Sequence, residues 1–152
     1  MKRNLIISFI CTILIILWVY AALSKFVDFS VFESQLKRQP LSEWSLGIFK
    51  WGLPVIELGT AFLLFSKRTR FKGLVLSTIL MALFTLYVLF ALSGAFGDIP
   101  CSCAGIISAL HWKGHLVFNI IFLIISALGV FLENKVRSQN PGINAALVAK
   151  HI

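Results

Sequence analysis

Two cysteines separated by one residue, Cys101 and Cys103, stand in the stretch Pro100-Cys101-Ser102-Cys103-Ala104-Gly105. A disulfide between them closes a very tight ring, and tight rings store strain. Strained, exposed disulfides have more oxidising potentials and serve as labile or catalytic bonds rather than structural ones. A structural role is weak for such a pair, because it closes almost no loop. The pattern points to a couple that cycles between dithiol and disulfide, with metal binding and an inert pair as the alternatives. The third cysteine, Cys11, lies in an apolar run far from these two and reads as a small packing residue.

His111 and His115 are four residues apart and share a helix face. With Cys101 and Cys103 they make a set of two thiolates and two imidazoles. Zinc favours two to four residues between paired cysteines, so the spacing suits it poorly. Copper(I) takes soft ligands with less demand on geometry. No metal is assigned, and copper handling stands as an alternative. The bland reading of each histidine is a residue capping the end of a membrane span.

Glu57 sits inside an otherwise apolar run. An ionisable group there is costly and normally faces the bundle interior. One reading is a proton donor or acceptor for thiol oxidation, which releases protons. The other is a hydrogen bond between helices that fixes the bundle. His115 and Asn119 extend the face of His111 and are expected to converge with Glu57 beneath the cysteines. A membrane quinone lined by these three residues is the candidate electron acceptor.

These residues must be held by membrane helices. Of 152 residues, 59% are hydrophobic and 13% charged, against roughly 45–50% and 25% in soluble domains. The charges cluster between long uncharged runs, and about 20 apolar residues cross a roughly 30 Å hydrocarbon core. Spans are expected over about 5–24, 48–66, 73–96 and 114–132. Residues 1–135 then form one all-α membrane domain, a bundle of four transmembrane helices, and 136–152 a polar cytoplasmic tail. A cleaved signal peptide competes for the first run, but that run exceeds the usual 7–15 residue signal core. Pro54 is expected in the first turn of the second span, where a missing N–H is tolerated.

Between spans one and two, Phe26, Phe29, Phe32 and Leu36 recur at helical spacing. Ser30 and Glu33 match a capping box, and Pro40 ends the helix. This predicts a short amphipathic outer helix on the membrane surface or over the mouth of the bundle. Nine Lys and Arg fall on one face (Lys2, Arg3, Lys67, Arg68, Arg70, Lys72, Lys135, Arg137, Lys150). Five fall on the other (Lys25, Lys37, Arg38, Lys50, Lys113). The excess marks the cytoplasmic side, so both termini are inside and Cys101 and Cys103 outside. The net charge of +8 comes from these topology signals, and no basic stripe for nucleic acid is present.

Three stretches carry a resemblance: Trp18 to Phe26, with Trp followed by Ser-Lys-Phe; Pro54 to Gly59, reading Pro-x-x-Glu-Leu-Gly; and Cys-x-Cys-x-Gly at Cys101, Cys103 and Gly105. Together they resemble the MauE branch of the DoxX-like integral membrane proteins over about residues 5–132. Ser102 and Ala104 stand where that family often has Gly and Phe, and His115 where Arg is frequent. The resemblance implies a redox-associated protein of the bacterial inner membrane. It would support disulfide formation or electron transfer for a periplasmic thioredoxin-like or disulfide-containing partner, as in methylamine dehydrogenase maturation. Thiol-disulfide oxidoreductase activity would rest on Cys101, Cys103 and Glu57. A non-enzymatic assembly subunit is the main alternative, and copper handling the second.

Overall fold

The computed structural model describes residues 2–37, 43–93 and 112–139. Every element among them is an α-helix: α1 (Lys2–Val27), α2 (Phe29–Lys37), α3 (Glu43–Phe65), α4 (Arg70–Leu92) and α5 (Trp112–Gln139). Four of these, α1, α3, α4 and α5, are long and apolar enough to cross a membrane. Large apolar side chains on their outer surfaces, among them Leu5, Phe9, Phe62, Phe65 and Phe131, are largely exposed. Water-soluble monomers rarely tolerate apolar surface on this scale, whereas lipid is its natural solvent.

Around the bundle the helices run α1, α3, α4, α5, with α1 packed most extensively on α3 and α4 on α5. The core is a column of Ile7, Leu14, Trp18, Leu64, Leu74 and Met81. Two glycines let backbones close in. A Cβ on Gly73 would meet the Leu64 backbone nitrogen at 2.8 Å, and one on Gly129 would meet Leu74 Cδ2 at 2.8 Å. The turn between α3 and α4 is held by Thr69, whose hydroxyl donates to the carbonyl of Leu63 at 2.8 Å. That carbonyl is one of those a helix end leaves without an internal partner.

Several boundaries differ from expectation for identifiable reasons. Helix α3 begins at Glu43 rather than near residue 48. Pro54 is therefore an interior residue and removes the hydrogen bond to the Lys50 carbonyl. Ser30 lies inside α2 and not at its cap, because Phe32 N–H already donates to Asp28 at 2.9 Å. The capping box is replaced by ion pairs, with Glu33 bound to Lys50 at 2.7 Å and to Lys37 at 3.1 Å. At the far end, α5 runs two turns beyond the expected end of the fourth span at 132, so residues 136–139 of the expected tail are helical. Helix α4 ends at Leu92, short of the predicted 96. Residues 140–152 lie outside the described residues, as do Cys101, Cys103 and His111.

The amphipathic helix α2 caps one end of the bundle. Phe32 and Leu36 are buried beneath it. Phe29 packs on Trp51 of α3 at 5.4 Å between ring centroids, with the Lys50 ammonium 4.7 Å from the Phe29 ring.

Candidate functional site

Lys25 is in the last turn of α1. Side chains in a helix lean toward its N-terminus, so the lysine folds back into the bundle instead of reaching out. Its Nζ donates to Glu57 Oε1 at 2.7 Å and to the Ala21 carbonyl at 3.1 Å. The Phe32 ring of α2 stands over it with its centroid 5.9 Å from Nζ. Both side chains are almost fully enclosed, with 4% of Lys25 and 2% of Glu57 exposed. The pair joins the Ser-Lys-Phe stretch of α1 to the Pro-x-x-Glu stretch of α3. Sequence reasoning counted Lys25 only as a topology charge; the available signal was that a carboxylate inside a span calls for a partner.

Beside this pair is a small cavity in the centre of the bundle. Trp18 and Tyr20 of α1, Glu57 of α3, Met81 of α4, and His115 and Asn119 of α5 are among the residues that line it. Its wall is braced by the Trp18 indole N–H, which donates to Ser77 Oγ on α4 at 2.9 Å. His115 and Asn119 are both buried. Glu57, His115 and Asn119 therefore line one space, with α1 supplying a fourth wall, while the expected position of that space beneath the cysteines falls outside the described residues. Two polar atoms here, Glu57 Oε2 and Asn119 Nδ2, are buried with no hydrogen-bond partner among the described residues.

The cavity volume is about 40 Å³. An apolar cavity that binds benzene measures about 150 Å³, and a quinone ring is larger than benzene. The space bounded by the described residues does not fit a quinone, and no step is routed through one. Of the four residues considered for copper, His115 alone is among the described residues, and these contain no group of three or more His, Cys, Asp or Glu arranged to hold a metal.

The segment bearing Cys101 and Cys103 leaves α4 at Leu92 and enters α5 at Trp112. Trp112 is one turn from His115, so α5 begins close to the cavity. Cys11, the described cysteine, is buried in the core.

Two other polar clusters are structural in character. At the opposite end Arg70 of α4 binds Glu133 of α5 at 2.7 Å, Arg137 joins Glu133 at 3.3 Å, and the Arg137 guanidinium lies 4.9 Å from the Phe71 ring. On α2, Lys50 and then Lys37 hold the Glu33 carboxyl below the usual glutamate range.

Four apolar spanning helices, one surface helix and an ion pair enclosed among them define a multi-pass membrane protein with a polar interior site. Such a site is a costly feature, retained in membrane proteins for structure or function. The chain belongs to the MauE family: the family model described as methylamine utilisation protein MauE matches residues 3–132. No curated protein and no solved structure matches it. The matched range includes the Lys25–Glu57 pair, the cavity, Cys101 and Cys103, and it stops one residue before Glu133.

Proposed function

We propose that this protein is a redox component of methylamine utilisation, a multi-pass protein of the bacterial inner membrane that exchanges disulfides with a periplasmic partner. The observation that carries the reading is the enclosed Lys25–Glu57 pair with the cavity beside it, near the start of α5, the helix that follows Cys101 and Cys103 in the sequence. The step is thiol–disulfide exchange. A thiolate of the reduced partner attacks one sulfur of the Cys101–Cys103 disulfide, forming a mixed disulfide and releasing the other cysteine as a thiolate. The partner's second thiolate then displaces the remaining sulfur. The partner leaves oxidised, and Cys101 and Cys103 are left as a dithiol. Atoms and electrons balance between the two dithiol–disulfide pairs. Glu57 and Lys25 supply a fixed pair of charges inside the bundle, with Glu57 as the group able to take up a proton from the thiols. The N-in, C-in arrangement follows from the Lys and Arg count.

The ion pair also supports a second reading, in which Glu57 only fastens α1 to α3 and the protein is an assembly subunit. One experiment tests the first reading. Intact cells are treated with a membrane-impermeant maleimide before and after a brief pulse of reductant. Cys101 and Cys103 should be protected before reduction and labelled after it, while Cys11 stays unlabelled throughout. A pair that is fully labelled without reductant, or never labelled from outside, rules out the exchange reading.

A further inference from the structure

The cavity between the helices contains an imbalance that the described residues do not resolve. Among them, Glu57 Oε1 is taken by Lys25, but Oε2 accepts from none and Asn119 Nδ2 donates to none. A buried donor or acceptor left unmade carries its whole desolvation penalty, and a charged group carries more. Here an unmade acceptor and an unmade donor belong to residues lining the same space. Cavities that stay dry are apolar, whereas polar ones of sufficient size hold water.

We propose that this cavity is an internal hydration site, holding about three water molecules, one of which donates to Glu57 Oε2 and accepts from Asn119 Nδ2. Size sets the number: one water needs roughly 10–15 Å³ of such space, and the cavity offers about 40 Å³. Charge sets the identity. The Lys25 ammonium repels a cation, the Glu57 carboxylate repels an anion, and the pair already neutralises itself. What remains is a small neutral molecule that both donates and accepts. His115 and Tyr20 on the walls give further waters polar neighbours. Such water gives an enclosed carboxylate a mobile neighbour for proton exchange, a role that rests on the function proposed above; the hydration itself does not.

Hydroxyl-radical footprinting of the purified full-length protein tests this, with radicals generated from water by short X-ray pulses. Met81 is the reporter, because it lines the cavity yet is only 3% exposed. It should be oxidised far faster than its exposure allows, and with label from ¹⁸O-water. Asn119→Leu, which removes the donor and fills the space, should lower that rate several-fold. Ala21→Val fills the same cavity from α1 without touching a polar group and should do the same, which covers the case in which Asn119→Leu fails to fold. The Cys101→Ser, Cys103→Ser double variant should label like the wild type, so a failure of the exchange chemistry is separable from a failure here. Met81 labelling at background in the wild type, or undiminished in both filled variants, overturns the proposal.

Discussion

Lys25 and Glu57 sit 32 positions apart and yet form the most enclosed charge pair among the described residues. Removing one member of such a pair strands the other charge. Lys25→Met is expected to lower stability by about 3–5 kcal/mol, read as denaturant unfolding in detergent. Lys25→Met combined with Glu57→Gln should recover most of that loss, because no charge is then stranded. Equal, additive losses in the two single variants and the double would show that the pair is uncoupled. Glu57 was conspicuous in the sequence because a carboxylate in an apolar run has few explanations. Its partner was not, because a lysine at the edge of a span normally reaches for the interface, and only the packing of α1 on α3 turns it inward. Glu33 offers a milder test. Its carboxyl titrates lower in the folded protein than in the unfolded chain, so its contribution is complete above the ordinary glutamate value of about 4.3. That contribution is lost as pH falls through the lower folded value. Acidification through that window should loosen α2 and change Trp51 emission through its contact with Phe29. Glu33→Gln should remove that part of the pH response, and an unchanged response would assign it to another carboxyl.

At the scale of elements, the four spans were legible because long uncharged runs leave no other fold open to them. Their ends were less so. Residues 136–139 look like the start of a polar tail until Glu133 of the same helix is seen to bind Arg70, 63 positions away. Pro54 reads as a helix opener, and only the upstream turns of α3 packed on α2 make it an interior residue. Glycine at 73 could not be distinguished from a neutral choice by sequence, since its role lies in the distance to another helix. Gly73→Ala would drive a methyl group against the backbone of Leu63 and Leu64, at 3.0 Å and 2.8 Å, and a helix backbone there cannot move aside cheaply. Overpacking of this kind costs about 1–3 kcal/mol. A lowered melting temperature in detergent is expected, and an unchanged one would mean that α3 and α4 can separate without penalty.

For the whole molecule, the fastenings are unevenly distributed. Lys25–Glu57 ties α1 to α3, and Arg70–Glu133 ties α4 to α5, each within one of the two closest helix pairs. Between the two pairs, the Trp18 indole bonds to Ser77, and the chain itself crosses at the short turn of residues 66–69. The protein is thus built like two covers of a book with its spine at that turn. Any breathing of the bundle follows the line between the covers, and the pages it opens first are those around Trp18, where the central hollow already lies.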